Sequence, residues 1–109
     1  MNHLDFYEKV MSLRKQGQKA AIATVIRTKG STPRKTGTKM IVYPDCKLHG
    51  TIGGGCGEGE VIEKALLVIE TGKPQQHQVD LTEGLLYEDG GICGGIMDVF
   101  IESTLPYHS

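Results

Sequence analysis

An α+β fold follows from three features of this 109-residue sequence. Two amphipathic stretches end at glycines, five short strand-like stretches lie between turn residues, and the order is helix, three strands, helix, two strands. The expectation is a single domain over residues 1–109, a length ordinary for one compact unit. Its sheet is expected to be mixed and mostly antiparallel, with about five strands and two main helices packed on it.

The spacing of Leu4, Tyr7, Val10 and Met11 predicts a first helix from His3 to Gln16, with Asn2 available as N-cap and Gly17 as the stop. Ala20 to Thr28 is apolar at both parities, as in a strand buried on two faces, and so belongs in the middle of its sheet. Thr38 to Tyr43 and Lys47 to Ile52 read as a hairpin turned by Pro44, Asp45 and Cys46. Glu58 to Thr71 carries a broad stripe of Val61, Ile62, Ala65, Leu66, Val68 and Ile69, and Gly72 followed by Pro74 ends it. Gln76 to Thr82 and Ile96 to Ser103 read as further strands. Between them, Glu83 to Gly95 has no periodicity, and a loop of that length in a compact domain places it beside a site.

Composition excludes several classes of function. Twelve Lys and Arg against thirteen Asp and Glu give a net charge of -1, too little to wrap a duplex or coat an anionic membrane. No apolar run approaches the roughly 18 residues of a membrane span, and the start Met1-Asn2-His3-Leu4-Asp5 lacks a basic region followed by an apolar one. The chain therefore reads as cytoplasmic. Three cysteines, an odd number, point to free or transiently used thiols rather than to structural bridges.

Glycine is the anomaly. There are fifteen, twelve of them between Gly50 and Gly95, and each interior glycine costs about 0.5–1 kcal/mol of extra chain entropy relative to alanine. Such a cluster calls for special backbone angles or close approach of a ligand. The sharpest block runs from Gly50 through Gly53, Gly54, Gly55, Cys56 and Gly57 into the helix that starts at Glu58. A strand-to-helix junction of this kind offers backbone N–H groups and the positive end of the helix dipole to an anion. Neither G-x-G-x-x-G nor the P-loop spacing fits, however, and Glu58, Glu60 and Glu63 could satisfy the dipole themselves. A tight helix entry without a ligand therefore stays open. Cys56 at that entry is placed where the helix end favours a thiolate.

A second block, Gly90-Gly91-Ile92-Cys93-Gly94-Gly95, precedes the last strand. Cys56 follows one strand and Cys93 precedes another, so an antiparallel arrangement would bring both to one edge. A small buried residue in a tight turn is the alternative for Cys93. The third block is Gly30-Ser31-Thr32-Pro33-Arg34-Lys35. Its hydroxyls and cations could hold an anionic group through charge-assisted hydrogen bonds, or could simply be solvated. Zinc finds little support, since no C-x-x-C occurs and Cys46 and His49 are an odd number of residues apart. His77 reads as solvated, and His3 and His108 lie near the ends.

The three blocks, taken in order with Gly37, Lys39, Met40, Val61, Val79-Asp80-Leu81-Thr82 and Val99-Phe100-Ile101-Glu102, resemble the XdhC/CoxI family of xanthine dehydrogenase and carbon monoxide dehydrogenase accessory proteins. The resemblance covers nearly the whole chain. It implies a non-enzymatic chaperone that binds the molybdenum cofactor (molybdopterin), assists its oxo-to-sulfido exchange by a partner sulfurtransferase, and delivers it to a molybdenum hydroxylase. Ser31, Thr32, Arg34 and Lys35, then Gly53, Gly54, Gly55, Cys56 and Glu58, then Cys93, Gly94 and Gly95 are the expected cofactor-binding residues. By family analogy Cys56 and Cys93 are the sulfur-bearing positions and the expected molybdenum contacts. Many members continue into a dinucleotide-binding-type domain, for which residues 1–109 leave no room. A separate subunit of that type or a homo-oligomer is the corresponding expectation. Two other classes compete: a thiol redox protein cycling a Cys56–Cys93 disulfide, and a ligand-free module that docks a partner enzyme.

Overall fold

The computed structural model describes residues 3–32, 34–52, 58–80 and 94–105. Two helices, α1 (His3–Lys15) and α2 (Glu58–Thr71), flank a sheet of five strands: β1 (Ala21–Lys29), β2 (Lys39–Val42), β3 (Leu48–His49), β4 (Gln75–Asp80) and β5 (Ile96–Ser103). The strand order is β3-β2-β1-β5-β4, and every neighbouring pair is antiparallel. The two-face apolar strand of the sequence is the central one, with Ala21 to Val25 all buried.

Both helix ends form as their glycines require. Gly17 has φ +65°, its N–H donates to the Arg14 carbonyl at 3.1 Å, and the Gln18 N–H donates to the Leu13 carbonyl at 3.0 Å. That pair of bonds satisfies the last carbonyls of α1. Gly72, with φ +76°, closes α2 through one bond to the Val68 carbonyl at 2.7 Å. The β2–β3 hairpin turns over Pro44 and Asp45, and Cys46 takes φ 72° while its N–H donates to the Tyr43 carbonyl at 2.9 Å. Asp45 Oδ1 accepts the Lys47 N–H at 3.0 Å, which stabilises that unusual angle.

Alternation along β1 sends Ala21, Ala23 and Val25 to one face, where they pack with Met40, Val42, Met97, Val99 and Ile101 under Val61, Ala65 and Val68 of α2. Ile22 and Ile41 point to the other face, beneath Phe6, Val10 and Leu13 of α1. The stripe expected from the spacing is not the buried one. Val10 is buried, but Leu4, Tyr7 and Met11 are 67%, 55% and 51% exposed, and the buried stripe is Phe6, Val10 and Leu13. Helix α1 has two apolar stripes, and the sheet surface of Ala20, Ile22, Ile41 and Tyr43 takes the one with the phenylalanine. Burial there pushes the Tyr43 phenol above its ordinary pKa. Strand β3 is also shorter than expected, because Gly50 (φ +84°) breaks the run and Ile52 turns fully into the α2-side core.

One irregularity of β1 is not visible in its apolar pattern. A register shift lies between Val25 and Arg27, which leaves Ile26 without a partner on β5. The extra residue reverses the alternation, so Arg27 and Lys29 leave the α2-side core and lie on the face of Asp98 and Ile96. Thr104, just past β5, is fully buried. Its hydroxyl donates to the Gln18 carbonyl and accepts the Ala20 N–H, both at 3.1 Å, which ties the end of β5 to the α1–β1 connection.

Candidate functional site

The strand directions bring the three sequence blocks to one end of the sheet. Strands β1, β3 and β4 finish at the end where β2 and β5 begin. Only residues 72–74 separate α2 from β4, so α2 runs back across the sheet and its first turn lies at that same end. Backbone topology alone therefore collects Gly30 to Thr32, Arg34, Gly50 to Ile52, Glu58, and Gly94 with Gly95.

The first and third blocks touch through their backbones. A Cβ built on Gly95 would lie 2.7 Å from the Lys29 carbonyl oxygen and closer still to that of Ser31. One built on Gly30 would lie 3.1 Å from the Gly94 carbonyl oxygen, and Gly30 itself has φ +76°. Only glycine allows the two segments to cross at this distance. The second block is held by a short hydrogen bond, in which Thr51 Oγ1 donates to Glu58 Oε2 at 2.7 Å. Glu58 thus places its carboxylate at the α2 N-terminus, where the dipole favours negative charge.

Ser31, Arg34 and Lys35 are exposed and Thr32 is half-buried, with its hydroxyl donating to the Arg34 carbonyl at 3.0 Å. The loop after them is anchored on β1. The Thr38 N–H donates to the Lys35 carbonyl at 3.2 Å, the Gly37 N–H to the Val25 carbonyl at 2.7 Å, and the Val25 N–H to the Thr38 carbonyl at 2.9 Å. Gly53, Gly54, Gly55, Cys56 and Cys93 lie outside the described residues, as do Asn2, Pro33 and most of the Glu83–Gly95 loop. Among the described residues, no group of three or more His, Cys, Asp or Glu side chains could hold a metal ion.

Several polar contacts near this end lie outside the residues expected to bind the cofactor. Asp98 is buried in the middle of β5, 3.6 Å from Arg27 Nη1, and its Oδ1 accepts the Gln78 amide at 3.1 Å. Lys39 Nζ donates to Thr24 Oγ1 at 3.1 Å and sits 5.9 Å above the Phe6 ring. A lone acid inside the apolar run Ile96 to Ile101 is the signal that could have singled out Asp98. His77, expected in solvent, is instead half-buried, with Nε2 3.2 Å from Glu60 Oε2. Residues 27–39 carry five of the chain's twelve cations and no acid, so the rest of the chain, seven cations against thirteen acids, has net charge -6. The positive charge is thus concentrated on the end of β1, its following loop and the start of β2.

Comparison with known proteins agrees with this architecture. The sequence profile of the XdhC and CoxI family matches residues 13–80. YqeB of Escherichia coli (strain K12) is 34% identical over 98 residues, which cover 90% of this chain and 18% of YqeB. A Bacillus halodurans protein, BH1974, whose crystal structure is described as that of a xanthine dehydrogenase, superposes with a TM-score of 0.75 at 30% identity. The match covers 90% of this chain and 30% of that one. The chain therefore spans less than a third of either relative. Among the described residues no helix is long and apolar enough to cross a membrane. With its fold, its three ordered blocks and the matched profile, the chain belongs to the XdhC and CoxI family.

Proposed function

We propose that this domain binds a molybdenum cofactor at the glycine-rich end of its sheet and serves in maturation of a molybdenum hydroxylase, carrying the cofactor without transforming a substrate of its own. The observation that carries this reading is the acid-free run of five cations on residues 27–39, set beside the backbone crossing of Gly30 and Gly95. A pterin bearing a phosphate needs cationic donors and a backbone that a flat ring can approach closely, and this end of the sheet offers both. Glu58 occupies the α2 N-terminus with negative charge. The phosphate is therefore assigned to Arg34 and Lys35 on the β1–β2 loop, with Ser31 and Thr32 as hydroxyl partners, and not to the helix end. Gly53 to Gly55, Gly94 and Gly95 are assigned to close backbone contact. Cys56 and Cys93 are assigned as soft ligands toward the metal. When bound, the cofactor supplies the redox-active molybdenum of the client enzyme. The domain's own residues hold it and shield it from water. A cytoplasmic location, a sulfurtransferase and a hydroxylase client follow from the same reading.

The test is uptake of molybdopterin, read as the fluorescent oxidised pterin released from the purified protein. Arg34→Ala combined with Cys56→Ala is expected to lower bound pterin at least about tenfold, since one charge-assisted contact contributes roughly 1.5–3 kcal/mol and the thiolate adds to it. Unchanged stoichiometric binding in the double variant overturns the residue assignment.

A further inference from the structure

The second apolar stripe of α1 is left exposed by the described residues, with Tyr7 meeting only the edge of its neighbour Phe6 among the ring contacts they make, at 5.6 Å between centroids. Tyr7 and Met11 stand outward, with Leu4 extending the stripe toward the N-terminus. Beside them runs a shallow groove of about 500 Å³ lined by Tyr7, Glu8, Met11, Ser12, Lys15 and Gln16. These six residues form two parallel rows at four-residue spacing, Tyr7-Met11-Lys15 and Glu8-Ser12-Gln16, the ridge pattern on which helices pack against one another.

We propose that this groove is where a second copy of the chain docks, helix against antiparallel helix about a two-fold axis. The lining is self-complementary under that operation. Glu8 and Lys15 are seven residues apart and so project in nearly the same direction, and an axis through the groove level with Met11 and Ser12 sets Glu8 of one copy opposite Lys15 of the other. Each glutamate then meets the partner's Lys15, so one sequence feature makes two ion pairs. A parallel arrangement would set Glu8 against Glu8 and Lys15 against Lys15. The two Met11 side chains meet at the axis, where a thioether adapts to an irregular surface and packs well against the edge of Tyr7. The charge order along the helix, acid in its first half and base in its last turn, thus selects the antiparallel copy as the occupant. A contiguous row of exposed large apolar groups is the kind of patch that association surfaces present. A single helix pair buries less than the roughly 1,200 Å² of a stable interface, so the dimer is weak, with a dissociation constant on the order of 10–100 μM. This inference is independent of the cofactor reading.

Sedimentation velocity of the 109-residue chain at low ionic strength, from about 5 to about 500 μM, tests it. A monomer–dimer equilibrium is expected, abolished by Met11→Glu. Glu8→Lys and Lys15→Glu are each expected to weaken it at least about tenfold, because each turns two attractions into two repulsions. Glu8→Lys together with Lys15→Glu restores the complementarity and is expected to return the dissociation constant to within about threefold of the original. All three side chains are exposed, so far-UV circular dichroism should be unchanged. A monomer throughout the range, a dimer indifferent to the single charge reversals, or a double reversal that fails to restore association overturns the proposal.

Discussion

Gly95→Ala is expected to lower the thermal midpoint by on the order of 10–15 °C, a loss of about 3 kcal/mol in a domain of this size. The new methyl group would sit 2.7 Å from the Lys29 carbonyl oxygen and closer to that of Ser31. Both obstacles are main-chain atoms, which cannot rotate aside as a side-chain tip would. Lys29 is moreover in register with Ile96, so relief requires opening the first pair of the longest ladder in the sheet. Gly59→Ala is the matching control, because a Cβ there meets nothing within 4 Å and α2 gains up to about 1 kcal/mol of helix propensity. Differential scanning calorimetry reads both. A Gly95→Ala midpoint no lower than that of the parent protein would mean that the first and third blocks do not cross as described, and the shared site would lose its frame.

Thr104→Val is expected to cost about 2 kcal/mol although it keeps the shape of the side chain. The hydroxyl serves two groups at once, accepting the Ala20 N–H and donating to the Gln18 carbonyl. Ala20 is fully buried, so its N–H is left without water or protein once the hydroxyl is gone. The neighbouring bonds, Thr104 N–H to the Ala20 carbonyl at 2.9 Å and Arg14 Nε to the Thr104 carbonyl at 2.7 Å, hold the backbone in place and prevent relaxation. Thr104→Ser retains the donor and acceptor and should cost no more than about half as much, for the lost methyl contacts alone. Urea titration with an unchanged slope measures both. Equal losses in the two variants would show that packing, not the hydrogen bonds, carries Thr104.

Much of this fold could be read locally, because its punctuation is chemical. The bounds of α2 and β5 follow from a glycine block on one side and Gly72 or an apolar run on the other, and the observed ends coincide with the predicted ones. The central place of β1 follows from apolar residues at both parities. The buried face of α1 could not be read this way. Two stripes compete on that helix, and only the surface offered by Ile22 and Ile41 decides between them. The bulge at Ile26 escaped notice for a related reason, since an apolar run hides a change of phase. Arg27 and Lys29, two charged residues at the inward parity of Val25, were the available sign. Thr104 carries no local signal at all, because its partners lie more than eighty residues earlier in the chain.

The candidate site divides in the same way. Its components stood out as glycine, cysteine and cation blocks against an otherwise ordinary composition. Their meeting depends on β1 and β5 being neighbours, a pairing across some seventy residues that no periodicity encodes. The structure brings Gly30 and Ser31 against Gly94 and Gly95, and ties Thr51 to Glu58, while Cys56 and Cys93 lie outside the described residues. The division of charge at this end, Glu58 on the helix and the cations on the β1–β2 loop, is a property of the folded chain. On the proposed function, it favours Arg34 and Lys35 over the glycine–helix junction as the place for the anion.

Native mass spectrometry of the chain produced in cells that make the molybdenum cofactor tests the carrier reading most directly. A mass increment of one molybdopterin per chain is expected, lost when Arg34 and Lys35 are both replaced by alanine. A chain found only at its bare mass would contradict it.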